Sequence, residues 1–82
     1  MEGLEIEILK RMLRREIVGK ADKYESAVLS GFPRYGYKEY KKALKRLVKD
    51  GYVISRPKPH GIKYAIDPRR IREIIEMIEE SD

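Results

Sequence analysis

The sequence predicts a small α+β domain whose elements run helix, helix, turn, helix, hairpin, helix. Two observations predict it. Apolar residues recur at three-and-four spacing in the first, third and last of these segments, the period of a helix with one buried face. Between residues 52 and 66 the pattern changes to short β-rich runs, Val53-Ile54 and the alternating Ile62, Tyr64 and Ile66, around a proline-rich tip. Eighty-two residues accommodate one domain, spanning 1–82, with a single modest core.

The first helix is predicted over about 4–18, with Ile6, Leu9, Leu13 and Ile17 in register, Met12 widening the stripe and Gly19 ending it. A second, short helix is expected over about 22–30, with Asp22 as its N-cap and Tyr24, Ala27 and Val28 turned inward. Gly31-Phe32-Pro33-Arg34-Tyr35-Gly36 is a turn, because two glycines and a proline within six residues break any regular element. The third helix is predicted over about 37–50, stopped by Gly51 in the left-handed position after its last turn. A hairpin over about 52–66 follows, with Arg56-Pro57-Lys58-Pro59-His60-Gly61 as its tip. A two-stranded hairpin is marginal alone, so Val53, Ile54, Tyr64 and Ile66 must pack on the helices. Asp67-Pro68 reads as an N-cap followed by proline at the first helical position. The last helix, about 68–80, then places Ile71, Ile74, Ile75 and Ile78 on one face.

Charge is abundant and unevenly spread. Charged residues make up 40% of the chain, and Asn, Gln, Thr and Cys are absent, a composition typical of hyperthermophile proteins. The net charge is +5. Residues 1–9 carry three acids and no base, and residues 64–82 carry six acids against three arginines. Residues 10–63 hold 16 Lys and Arg against five acids, a net +11. A basic middle between acidic ends points to a polyanionic partner.

The third helix concentrates that charge. At about 100° per residue, Tyr37, Tyr40, Ala43, Leu44, Leu47 and Val48 fall in one arc of roughly 140°. Lys38, Lys41, Lys42, Lys45, Arg46 and Lys49 fill the opposite arc, with Glu39 and Asp50 at its margin. Six like charges in about three turns repel one another, so the face is costly unless phosphates supply the counter-charge.

Ala43-Leu44-Lys45-Arg46-Leu47-Val48-Lys49-Asp50-Gly51-Tyr52-Val53 resembles the end of a winged-helix recognition helix running into its first wing strand. Leu44, Leu47, Gly51, Tyr52 and Val53 fill the frame Leu-x-x-Leu-x-x-x-Gly, an aromatic or aliphatic residue, and Val or Ile. Lys63-Tyr64-Ala65-Ile66-Asp67 is similar to the second wing strand. The resemblance, to small archaeal and bacterial transcription regulators of the winged helix-turn-helix superfamily, covers roughly residues 4–67. It implies duplex DNA as partner and a role in transcription or chromatin, with Lys38, Lys41, Lys42 and Lys45 nearest the duplex. Arg34, Arg46, Lys49 and the wing residues Arg56, Lys58, His60 and Lys63 would hold the flanking phosphates. The chain departs from the family in lacking Ser or Thr at the start of that helix, where Gly36 and Tyr37 stand. Without Asn or Gln, direct base reading falls to Arg, Lys or Tyr35, and backbone contact with modest sequence preference is expected.

Two other functions stay open, a winged helix used as a protein-interaction module and RNA binding through the same basic face. The wing tip is either a backbone or minor-groove contact or an exposed turn whose prolines suppress edge pairing. Lys10, Arg11, Arg14 and Arg15 either extend the basic surface or complement a helix C-terminus. An enzyme is not expected: there is no cysteine, His60 is the single histidine, and no glycine-rich phosphate loop occurs. No cofactor, metal, small-molecule or membrane partner is expected, and the start of the chain, read as no signal peptide, gives a cytoplasmic expectation. The stripe of Ile71, Ile74, Ile75 and Ile78 either folds back on the first helix or pairs with a second chain, and a homodimer is the favoured expectation.

Overall fold

A computed structural model describes residues 3–81. The described residues form a small α+β domain of four α-helices and a three-stranded antiparallel sheet. The helices are α1 (Gly3–Arg14), α2 (Glu25–Val28), α3 (Tyr37–Lys49) and α4 (Ile71–Ser81). The strands are β1 (Lys23–Tyr24), β2 (Val53–Lys58) and β3 (Gly61–Ile66), in the order β1-β3-β2.

α1 is shorter than its apolar spacing predicts. Glu16 takes a left-handed backbone at φ 58°, Ile17 N–H donates to the Met12 carbonyl, and Glu16 N–H donates to the Leu13 carbonyl. That pair of bonds closes the helix in a Schellman motif, and the buried Ile17 packs where such motifs place their apolar contact. The chain then runs beside the end of β3, where Gly19 N–H donates to Ile66 C=O and Ile66 N–H to Ile17 C=O. The buried face of α1 is centred on Ile8, Leu9 and Met12, because α3, α4 and β3 all pack against this helix.

The second helix is a single turn, Glu25–Val28, instead of 22–30. Asp22 is not its cap: Tyr24 stands at the N-cap with no side-chain bond, and Asp22 pairs with Arg56 instead. Lys23 and Tyr24 form the unforeseen strand β1, opposite Tyr64 and Lys63 of β3. The side chains of Arg11, in the last turn of α1, and Arg15, just beyond it, donate to the Ser30 and Ala27 carbonyls, so both also tie α1 to the end of α2.

α3 ends as its sequence predicts. Gly51 adopts φ 84°, and Tyr52 N–H reaches back to the Leu47 carbonyl. The hairpin pairs Val53 with Ile66 through to Lys58 with Gly61, which leaves Pro59 and His60 as a tight two-residue tip. Arg56, Pro57 and Lys58, expected in that tip, belong to the outer strand β2, where proline costs no central ladder bond. Asp67 caps as predicted, accepting from Arg69 N–H at 3.0 Å, but Pro68–Arg70 form a 3-10 turn before α4 starts. α4 folds back on α1 and buries Ile74 completely, while Ile71, Met77 and Ile78 lie half-buried against the core. No helix among the described residues is long and apolar enough to cross a membrane.

Candidate nucleic-acid interface

α3 lies with Tyr40, Ala43, Leu44 and Leu47 in the core and its basic arc outward. The six cations of that arc divide by position. Lys38, Lys42, Lys45 and Lys49, at its centre within about 60° of one another, are exposed. Lys41 and Arg46 sit at its two margins and are half-buried. Lys41 Nζ lies 3.9 Å from the Glu25 carboxylate of α2 and 5.9 Å from the centre of the Tyr37 ring. Arg46 Nε donates at 3.1 Å to Glu5 Oε1 of α1, whose side chain is only 6% exposed. Arg46 is therefore a strut between α1 and α3, and its expected phosphate contact competes with a buried carboxylate. Tyr40 donates its hydroxyl to Glu7, so Glu5 and Glu7 of α1 both anchor α3. Burial and that bond both push the Tyr40 hydroxyl above its ordinary range.

Two carboxylates reach the arc. Glu39 approaches Lys42 at 3.9 Å, an exposed pair of small energetic weight, and Glu25 arrives from another element. The centre of the stripe keeps its charge, however: Lys38, Lys45 and Lys49 have no ion pair among the described residues. Tyr37, Lys38, Lys41, Lys42 and Lys45 line a shallow hollow along the helix.

The cations of the β2–β3 hairpin divide in the same way. Arg56 donates to the Gly19 carbonyl at 2.7 Å and to Asp22 at 3.0 Å, tying β2 to the segment before β1. That bond, with Lys63 and Lys58 nearby, holds the Asp22 carboxyl below its usual range. Arg56 is thus largely committed to the fold. Lys63 lies over the Tyr24 ring at 5.0 Å, whereas Lys58 and His60 project from the tip into solvent. A hollow lined by Tyr24, Glu25, Ser26, His60, Gly61 and Ile62 joins the start of α2 to the hairpin. Glu25, which lines that hollow, also reaches Lys41 at the margin of the lysine arc.

Arg34 and Tyr35 occupy the turn before α3, both exposed, with Tyr35 at 95%. The exposed cations of the candidate surface are accordingly Arg34, Lys38, Lys42, Lys45 and Lys49, with Tyr35 among them and the half-buried Lys41 and Lys63 and the exposed Lys58 and His60 at its flanks. Glu25 and Asp22, which sequence reasoning left out, shape its edge. Nothing in their local sequence marks them, since their partners Lys41 and Arg56 are brought up by folding. No cluster of three or more potential metal-ligating side chains occurs among the described residues.

The four dimer-stripe residues are not equivalent. Ile74 is fully buried within the chain and Ile75 is 42% exposed. Ile71 and Ile78 are half-buried. The chain matches no protein-family model, no curated protein and no solved structure.

Proposed function

We propose that this chain is a DNA-binding protein of winged-helix type, acting as a transcription regulator or a chromatin-associated protein, and not an enzyme. The observation that carries the reading is the exposed stripe of Lys38, Lys42, Lys45 and Lys49, four like charges on one helix of which, among the described residues, only Lys42 forms an ion pair. Such a stripe is self-repelling in isolation and is stabilised by phosphates. The element order and the sheet order β1-β3-β2 support a winged-helix arrangement, with α3 as recognition helix and the β2–β3 hairpin as wing.

In this reading α3 enters the major groove with Lys38, Lys42 and Lys45 nearest the duplex. Arg34, Lys49, Lys58 and Lys63 hold the flanking phosphates. Lysine is a flexible point charge and no amide side chain is present, so affinity comes chiefly from the backbone. B-form DNA is favoured over duplex RNA because the deep, narrow A-form groove does not admit a helix.

The test is a titration of duplex DNA, duplex RNA and single strands over a salt series. If five to eight phosphates are contacted, log affinity for duplex DNA falls against log salt with a slope of roughly −5 to −7. Reversing Lys38, Lys42 and Lys45 to Glu abolishes binding and leaves helicity and melting nearly unchanged, because all three face solvent. A slope near zero, or undiminished binding by the triple variant, defeats the proposal and favours a protein-interaction module.

A further inference from the structure

Tyrosine is the one abundant aromatic here, and the fold gives four of the six a ring or cation partner and buries a fifth. Tyr40 stacks on Phe32 with ring centres 4.5 Å apart. Tyr24, Tyr37 and Tyr52 each carry a cation over the ring, from Lys63, Lys41 and Arg70. Tyr64 is buried in the core. Tyr35 has no ring or cation partner among the described residues and is 95% exposed, against 43% and 42% for the exposed Ile62 and Ile75.

Its position is defined by the backbone. The Arg34 carbonyl accepts from Tyr37 N–H at 3.1 Å, and the Gly36 carbonyl accepts from Glu39 and Tyr40 N–H at 2.9 and 3.2 Å. Gly36 itself sits at φ 86°, a conformation that favours glycine. The ring is therefore mounted on a turn that is hydrogen-bonded into the first turn of α3. Arg34 precedes it and Lys38 follows three residues later, and the chain has no acidic residue between Glu25 and Glu39. Next to it the turn opens into a groove lined in part by Ser30, Phe32, Arg34 and Tyr37.

We infer that Tyr35 is a base-stacking residue and that the preferred target is a duplex containing an unpaired nucleotide. The inference rests on the nucleic-acid reading above and adds the form of the substrate. An intact B-form duplex offers only base edges in its grooves, because the flat faces are covered by neighbouring bases. A flat ring presented to solvent amid cations buries its face only where a base has left the stack, while Arg34 and Lys38 hold the adjoining phosphates. Stacking of this kind is worth about 5- to 150-fold in affinity per base.

The experiment compares two duplexes of the same sequence, one fully paired and one with a single bulged 2-aminopurine. Anisotropy reads affinity and 2-aminopurine emission reads stacking. The wild-type chain should bind the bulged duplex at least about 5-fold tighter and quench its emission. Tyr35→Phe should retain both effects. Tyr35→Ala should bind the two duplexes equally and leave the emission unquenched, with the fold intact, since the side chain is exposed. Equal wild-type affinity for the two duplexes, or a preference and quench that survive Tyr35→Ala, overturns the inference while duplex binding stands. Failure to bind either duplex at low salt overturns the nucleic-acid reading with it.

Discussion

Glu5 lies on the inner edge of α1 with its carboxylate almost out of water, and the Arg46 guanidinium meets it at 3.1 Å. Lys45, one residue earlier, points straight into solvent. Removing one partner of a buried charge pair leaves the other to bear its desolvation, a penalty of about 1–3 kcal/mol. Arg46→Ala should therefore lower stability by about 2 kcal/mol and Lys45→Ala by less than about 0.5 kcal/mol. The order should invert for DNA affinity, which falls more for Lys45→Ala; thermal melts and anisotropy on the two variants check both halves. Asp67 is another residue whose charge is tied to the fold. The Arg69 side chain and backbone N–H hold its carboxyl down to about 2. Arg56 acts in the same direction on Asp22, and Arg70 with Tyr52 on Glu73. A carboxyl held low binds its proton more weakly in the folded chain than in the unfolded one. It therefore stabilises the fold above about pH 4 and stops doing so as pH falls through 2. Acid unfolding followed by circular dichroism should steepen in that window, and Asp67→Asn should flatten it while lowering stability at neutral pH through the weakened cap.

The ends of α1 and α3 show what a helix pattern discloses and what it hides. Both close with the same pair of backbone bonds, and both need a left-handed residue. In α3 that residue is Gly51, so the boundary is legible from the sequence. In α1 it is Glu16, and the apolar spacing continues through Ile17, so the helix reads as one turn too long. Ile17 is buried all the same, but by the loop that runs beside β3. A β-carbon in the left-handed region costs about 1 kcal/mol, so Glu16→Gly should stabilise the chain by roughly that amount. For a domain of this size the melting temperature rises by about 4–8 °C. Gly51→Ala should shift it the other way, since its methyl would also come within 3.0 Å of Arg70. β1 was hidden for a different reason. Two residues carry no alternation, and Lys23 and Tyr24 become a strand only by pairing with residues 63 and 64, far along the chain. The lysine arc of α3 was legible in full, because helical geometry alone aligns it. Which of its members remain available was not, since Glu5 and Glu25 arrive from other helices.

Across the whole molecule the acidic ends of the chain have separate uses. Glu5 and Glu7 brace α3 from α1, whereas Glu76, Glu79 and Glu80 stay exposed on α4. α4 is also where the oligomeric state is decided. The homodimer expectation rested on an isoleucine stripe with too little core left to cover it, and α4 covers part of that stripe by packing on α1 within the chain. Ile74 is fully buried against the rest of its own chain, and Ile71, Met77 and Ile78 pack at the core's edge. What remains for a second copy is centred on Ile75, less than half exposed. Arg72, Glu76 and Glu79 surround it on the exposed face of the helix. A stable dimer buries about 1,200–2,000 Å² in total, far more than one partly covered side chain offers. Sedimentation equilibrium at micromolar concentration should therefore give a single species of 9.7 kDa. Ile75→Asp should leave mass and melting nearly unchanged, while Ile74→Ala should cost about 2–5 kcal/mol as a core cavity. A mass near twice the monomer's, returned to the monomer's by Ile75→Asp, would reverse this conclusion and make α4 the seam of a two-fold pair presenting two lysine stripes to one duplex.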